Sequence, residues 1–94
     1  MRPKARQNVV GPKIRQLRSE LGLTQNELSA RICLHGWDIS RATLSQIEAQ
    51  IRCVTDYELL CLAQALRVET EALLPPRTSV KRTVAEFFPE KPVD

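Results

Sequence analysis

Glycine and histidine are scarce in this 94-residue chain, which holds three of the first and one of the second. That leaves little material for a phosphate-cradling loop or a catalytic cluster, so neither an enzyme nor a cofactor is expected. Three cysteines cannot pair completely and form no disulfide framework, which makes a reducing cytoplasm the expected compartment. Cys33, His35, Cys53 and Cys61 fit none of the usual zinc spacings. Buried or half-buried thiols are therefore expected, and no metal. No apolar run approaches the roughly 18–20 residues of a membrane span. The basic start, Met1 to Gln7, has no apolar stretch behind it, so no secretory signal is expected either. What remains suits one small soluble domain: 43% of residues are hydrophobic and 27% charged.

The net charge is only +3, but it is unevenly placed. Residues 1–52 carry nine bases against four acids, whereas residues 53–94 carry five bases against seven. A positive first half suits a polyanion, and nucleic acid before membrane, because no basic amphipathic helix stands alone.

Strand signals are thin and helical spacing is pervasive. Ile14, Leu17 and Leu21 form a first stripe, with Pro12 suited to a first turn and Gly22 to closing the helix. Leu28 and Ile32 mark a second helix, Leu44, Ile47 and Ile51 a third, and Leu59, Leu62, Ala63 and Leu66 a fourth. A short fifth is expected to hold Leu73 and Leu74 and to stop at Pro75. Thr24 with Glu27 and Thr55 with Glu58 fit the capping box, in which side chains and amides satisfy each other reciprocally. Leu23 with Leu28, Val54 with Leu59 and Ile39 with Leu44 add apolar staples, the last around a Ser40 cap.

The tail differs in character. Prolines frame residues 77–88, where Val80, Val84, Phe87 and Phe88 keep helical spacing. A short amphipathic helix, a docking arm and a loose end all fit. Packing of those four on the domain or on a partner subunit is expected, because large apolar groups free in water are a liability. The chain thus divides into a basic arm (1–10), a helical domain (11–75) and a Pro-flanked tail (76–94).

Two capped helices joined by a turn form a helix-turn-helix. The ordered set Ile14-Arg15-Gln16-Leu17-Arg18, Gly22-Leu23-Thr24-Gln25-Asn26-Glu27-Leu28 and Leu44-Ser45-Gln46-Ile47-Glu48 carries a resemblance. With Leu59 to Leu66, Val68 and Glu71 to Leu74 behind it, the chain resembles the XRE/Cro-type family of DNA-binding repressors over about residues 11–74. The resemblance implies an all-α, λ-repressor-like five-helix bundle. There are two departures. Ser29 stands where the family usually has a small alanine, and Cys33 to Ile39 make a longer turn than the usual three to four residues. Trp37 is expected to pack over that turn.

If Leu44, Ile47 and Ile51 face inward, Ala42, Ser45, Gln46 and Ala49 project outward, with Arg41 and Thr43 reaching from the first turn. Such side chains suit base edges: Gln holds adenine, Arg guanine, and Ala or the Thr methyl touches thymine. The resemblance implies phosphate contacts from Gln25 and Asn26, and Ser40 and Arg52 join them at the ends of the third helix. Arg18 and Glu48 border their apolar stripes in the same register, and the family pairs an arginine with a glutamate there, so a structural ion pair is expected.

The function that follows is sequence-specific double-stranded DNA binding by a transcriptional regulator, a repressor acting as a homodimer near the nucleoid. Two alternatives stand beside it. One is an antitoxin-type autorepressor whose tail binds a protein partner; the other is an interaction module that has kept the fold without DNA binding.

Overall fold

Each of the three central helices begins where a side chain satisfies its free amides. In the computed structural model, which describes residues 6–87, Thr24 accepts from the Glu27 amide at 3.0 Å while Glu27 accepts from the Thr24 amide at 2.8 Å. Thr55 and Glu58 repeat the box, and the Ser40 hydroxyl accepts from the Thr43 amide at 3.1 Å. The helices so started are α2 (Gln25–Cys33), α3 (Arg41–Glu48) and α4 (Asp56–Leu66). They follow α1 (Gly11–Glu20) and precede 3-10 turns at Thr70–Leu73 and Arg77–Ser79, then α5 (Val80–Phe87). All the regular structure of the described residues is helical, and none of these helices is long and apolar enough to cross a membrane.

The core is the meeting of the stripes. Ile14, Leu28, Ile32, Leu44, Ile47, Leu62 and Leu73 are all fully buried, and Val10, Ile39, Ala63, Ala65 and Leu66 complete the cluster. Burial of such aliphatic side chains contributes roughly 1.5–3 kcal/mol each, which makes this cluster the main source of stability.

Four expectations need correction. Ile51 does not continue the α3 stripe: the helix ends at Glu48, Gln50 turns left-handed (φ 65°), and Ile51 is 63% exposed. Leu21 falls just past α1 and is likewise exposed. The fifth element is a 3-10 turn, and Leu74 lies outside it, because the following Pro75 forces an extended backbone. The thiols of Cys33 and Cys53 are exposed rather than buried, Cys33 because it sits one position off the Leu28/Ile32 face.

The boundary at residue 10 also moves. Asn8 and Val10 are buried, so the chain joins the domain before α1 begins. The Asn8 Oδ1 accepts from the Val10 and Gly11 amides, while its Nδ2 donates to Ile47 O at 3.0 Å and Arg52 O at 2.8 Å. The Gln50 amide group donates to Asn8 O, and the Gln7 amide to Gln50 O. One buried asparagine thus caps α1 and holds the end of α3.

In the tail, Phe87 lines a cleft with Val9, Val54, Leu59 and Leu74, and Arg6 meets Glu86 at 2.7 Å. Val80 and Val84 stay 55% and 45% exposed, so of the two expected seats, the domain or a partner subunit, the domain does not cover them. The helix touches the domain near its C-terminal end, so its first turns stand away. Phe88 and residues 1–5 lie outside the described residues.

At Gly11 the backbones of α1 and α3 approach closely. A Cβ there would overlap Ile47 O and reach 2.9 Å from Glu48 O, both backbone atoms that can move only with the helix. Gly11→Ala is expected to destabilise the domain by about 1–3 kcal/mol in urea or thermal melts. A melt unchanged from the parent would show that α1 and α3 are not held this close.

Candidate nucleic-acid interface

The geometry of α3 follows from which of its residues the core claims. Leu44, Ile47 and the Glu48 carboxylate are buried, leaving Arg41, Ala42, Gln46 and Ala49 exposed and Thr43 and Ser45 partly so. The base-reading residues expected from the sequence therefore share one accessible side of α3.

The lengthened turn is a folded loop. α2 stops at Cys33, and the His35 and Gly36 amides then donate back to Ile32 O and Cys33 O. Gly36 takes φ +98°, a region open to glycine. Ile39 returns to the core and Trp37 packs against it, as the sequence suggested. The extra residues are thus anchored at two apolar points between the paired helices. Ser29, the other departure, is satisfied: its hydroxyl donates to Asn26 O at 2.8 Å.

Glu48 is the electrostatic centre. Its side chain is 4% exposed and that of Arg18 16%. Arg18 Nε donates to Glu48 Oε2 at 2.7 Å and Nη2 to Oε1 at 2.9 Å, a bidentate fork across α1 and α3. The hydrogen bond to Glu48 raises the Arg18 pKa further, against the opposing effect of desolvation. Arg18 Nη1 also donates to Leu23 O, tying in the corner before α2.

Gln25, expected at a phosphate, has an internal partner as well. Its Nε2 donates to Glu48 Oε1 at 3.1 Å, and its Oε1 accepts from Arg41 Nη1 at 3.3 Å. An ionised carboxylate only accepts, so Glu48 orients the amide and sends its carbonyl toward Arg41. Asn26 and Ser40 are exposed at the starts of α2 and α3, although the Ser40 hydroxyl is engaged as a cap.

Arg52, also expected at a phosphate, has internal partners of its own. Its guanidinium donates to both Glu58 oxygens at 3.1 Å and to Cys53 O at 3.0 Å, and it lies 5.7 Å from the Trp37 ring centroid. It ties the long turn to the start of α4. Sequence reasoning placed a base after α3 but overlooked that the capping glutamate of α4 lies six positions on. Asn8, Gly11 and Gln50 were missed too; an asparagine just ahead of a Pro-marked helix start was the available signal for the first. Among the described residues, no three His, Cys, Asp or Glu side chains gather as a metal site.

Comparison with known proteins agrees with this geometry. A family model described as helix-turn-helix matches residues 14–73. The restriction-modification controller protein C.AhdI from Aeromonas hydrophila is 29% identical, with a TM-score of 0.62 over 69% of this chain and 91% of that one. The P22 c2 repressor, solved with a synthetic operator, is 26% identical, with a TM-score of 0.60 over 72% of this chain and 96% of its own. A hypothetical transcription factor from Neisseria shares the fold at 22% identity and a TM-score of 0.63, covering 87% of this chain and 97% of that one. No curated protein matches significantly.

Two measurements follow from the ion pairs. Arg18→Ala strands a buried carboxylate and is expected to cost about 3 kcal/mol of stability, part of which Glu48→Gln added to it should recover. A loss under about 1 kcal/mol would class the pair with exposed ones. Glu58 is held below the usual carboxylate range by its bond to Arg52, with burial opposing and the Thr55 amide assisting. Its contribution is therefore present above its unfolded pKa and lost as pH falls through the lower, folded one. Glu58→Gln should flatten the fall in stability below about pH 4.5, measured by urea melts across pH. An equally steep fall in the variant would assign the acid sensitivity to other carboxylates.

Proposed function

Since the chain belongs to this helix-turn-helix family, we propose that it is a sequence-specific double-stranded-DNA-binding transcriptional regulator, a repressor that acts as a homodimer. The observation that carries the proposal is the exposed α3 face bearing Arg41, Ala42 and Gln46 on a helix held at its C-terminal end by Arg18 and Asn8. A helix presented in this way fits a major groove about 12 Å wide, with Arg able to hold guanine and Gln adenine. Thr43 and Ser45 flank these contacts, and the amide-bearing starts of α2 and α3, at Gln25, Asn26 and Ser40, suit phosphates. The bound operator of the P22 c2 repressor and the controller role in the name of C.AhdI support the same reading.

One recognition helix covers few base pairs, and a genome offers many competitors. Two copies on a two-fold site, with half-sites about one helical turn apart, supply the missing discrimination. A cytoplasmic, nucleoid-associated location follows from the activity. One observation favours a second reading: exposed Val80 and Val84 on α5 suit a protein partner for the tail, as in an autorepressing antitoxin.

Arg41→Ala and Gln46→Ala are each expected to cost roughly 1–3 kcal/mol on the preferred duplex and much less on a scrambled one. Binding titrations on both duplexes check this. Equal losses on the two would mean that α3 reads no bases.

A further inference from the structure

We propose that Arg15, with Ser19 one turn later, forms an additional backbone-phosphate site on α1, beside the end of the reading helix. This site rests on the DNA-binding reading above. A groove of about 670 Å³ lies between α1 and the end of α3, bounded by Arg15 and Ser19 on one wall and by Glu48, Ala49 and Gln50 on the other. Ala49 belongs to the exposed face of α3, so the groove opens next to that face. A helix with its side chains is about 10–12 Å across and nearly fills a major groove. Whatever flanks it meets the sugar-phosphate strands, and α1 is the element that flanks α3 on the Arg18 side.

Charge points the same way. The Glu48 carboxylate is neutralised by Arg18 and hydrogen-bonded by Gln25, so this wall presents no free acid. Glu20, the other carboxylate of the groove, accepts from Gln16 at 3.0 Å. Helical periodicity puts Gln16 and Glu20 one row further from α3 than Arg15 and Ser19. Arg15 is exposed, and among the described residues no carboxylate pairs with it. Arg52, the base expected to hold a phosphate beyond α3, is committed to Glu58 and to the Trp37 face. Among the described residues, Arg15 is thus a cation without a carboxylate partner that borders the end of α3. A guanidinium beside a hydroxyl at i+4 is suited to one phosphate, taking its charge through the first group and a hydrogen bond through the second.

The test is a set of titrations of the full chain on its selected duplex and a scrambled one, each at several salt concentrations. Arg15→Ala should weaken both duplexes by a similar factor, roughly threefold to tenfold, and lower the salt slope by about one per subunit. Arg15→Lys should keep the slope, since the charge remains. Ser19→Ala should weaken both duplexes without changing the slope, because a neutral hydroxyl releases no counterion. Thermal melts of all three variants should match the parent, as both residues are exposed. Unchanged affinity and slope in Arg15→Ala, with the parent still showing salt-dependent binding, would overturn the α1 site alone. A loss confined to the selected duplex would also overturn it, by making Arg15 a base contact. A parent that shows no salt-dependent binding to either duplex would overturn the DNA-binding reading, and the site with it.

Discussion

A carboxylate buried at the end of α3 is the constraint on which the proposed interface depends. Glu48 sits in α3, close to where a polyanion would lie, with its side chain almost wholly out of water. Left alone it would repel phosphate and bear a large desolvation cost. Arg18 removes both difficulties with a two-point fork, and the same guanidinium reaches Leu23 O before α2. One side chain therefore fixes α3 against α1 and the α1–α2 corner together. Gln25 takes its orientation from Glu48 and passes it to Arg41, so the side chain proposed to read the first base is partly placed in the free protein.

The same C-terminal end of α3 is also held through its backbone. Asn8 uses both amide hydrogens and its oxygen to join the start of α1 to Ile47 O and Arg52 O, and Gly11 lets the two backbones come together. Arg52 then links this corner to α4 through Glu58 and to the long turn through Trp37. These polar anchors surround an aliphatic core that supplies most of the stability. Their role is orientation. A recognition helix discriminates between bases only if its side chains arrive within a fraction of an ångström of productive geometry, and that demands rigid support.

Local rules made much of this legible in advance. Both capping boxes, the Ser40 cap and the apolar stripes depend on neighbours within one or two turns, and apart from Leu21 and Ile51 the structure has them where the spacing put them. The Arg18–Glu48 contact was legible because both residues border a stripe in the same register. The family likeness supplied the fold. Less accessible were contacts between distant parts of the chain. Asn8 finds its partners 39 and 44 positions away, and nothing near it in the sequence reveals them. The end of α3 was read one turn too late because Ile51 kept the right spacing, whereas the left-handed Gln50 had already turned the chain. Arg52 was assigned by position alone, without the acid that claims it. Val80 and Val84 kept helical spacing, yet spacing says nothing about how far a terminal helix leans from its domain.

The central claim is that this rigidly held α3 face reads a base sequence, and that two copies read it together. Selection of binding sites from random duplexes with the purified full chain tests both halves at once. The account predicts an enriched two-fold symmetric site whose half-sites lie about one helical turn, roughly 10 base pairs, apart. Recovery of unenriched random sequence, from a protein that is folded and binds the pool, would contradict it.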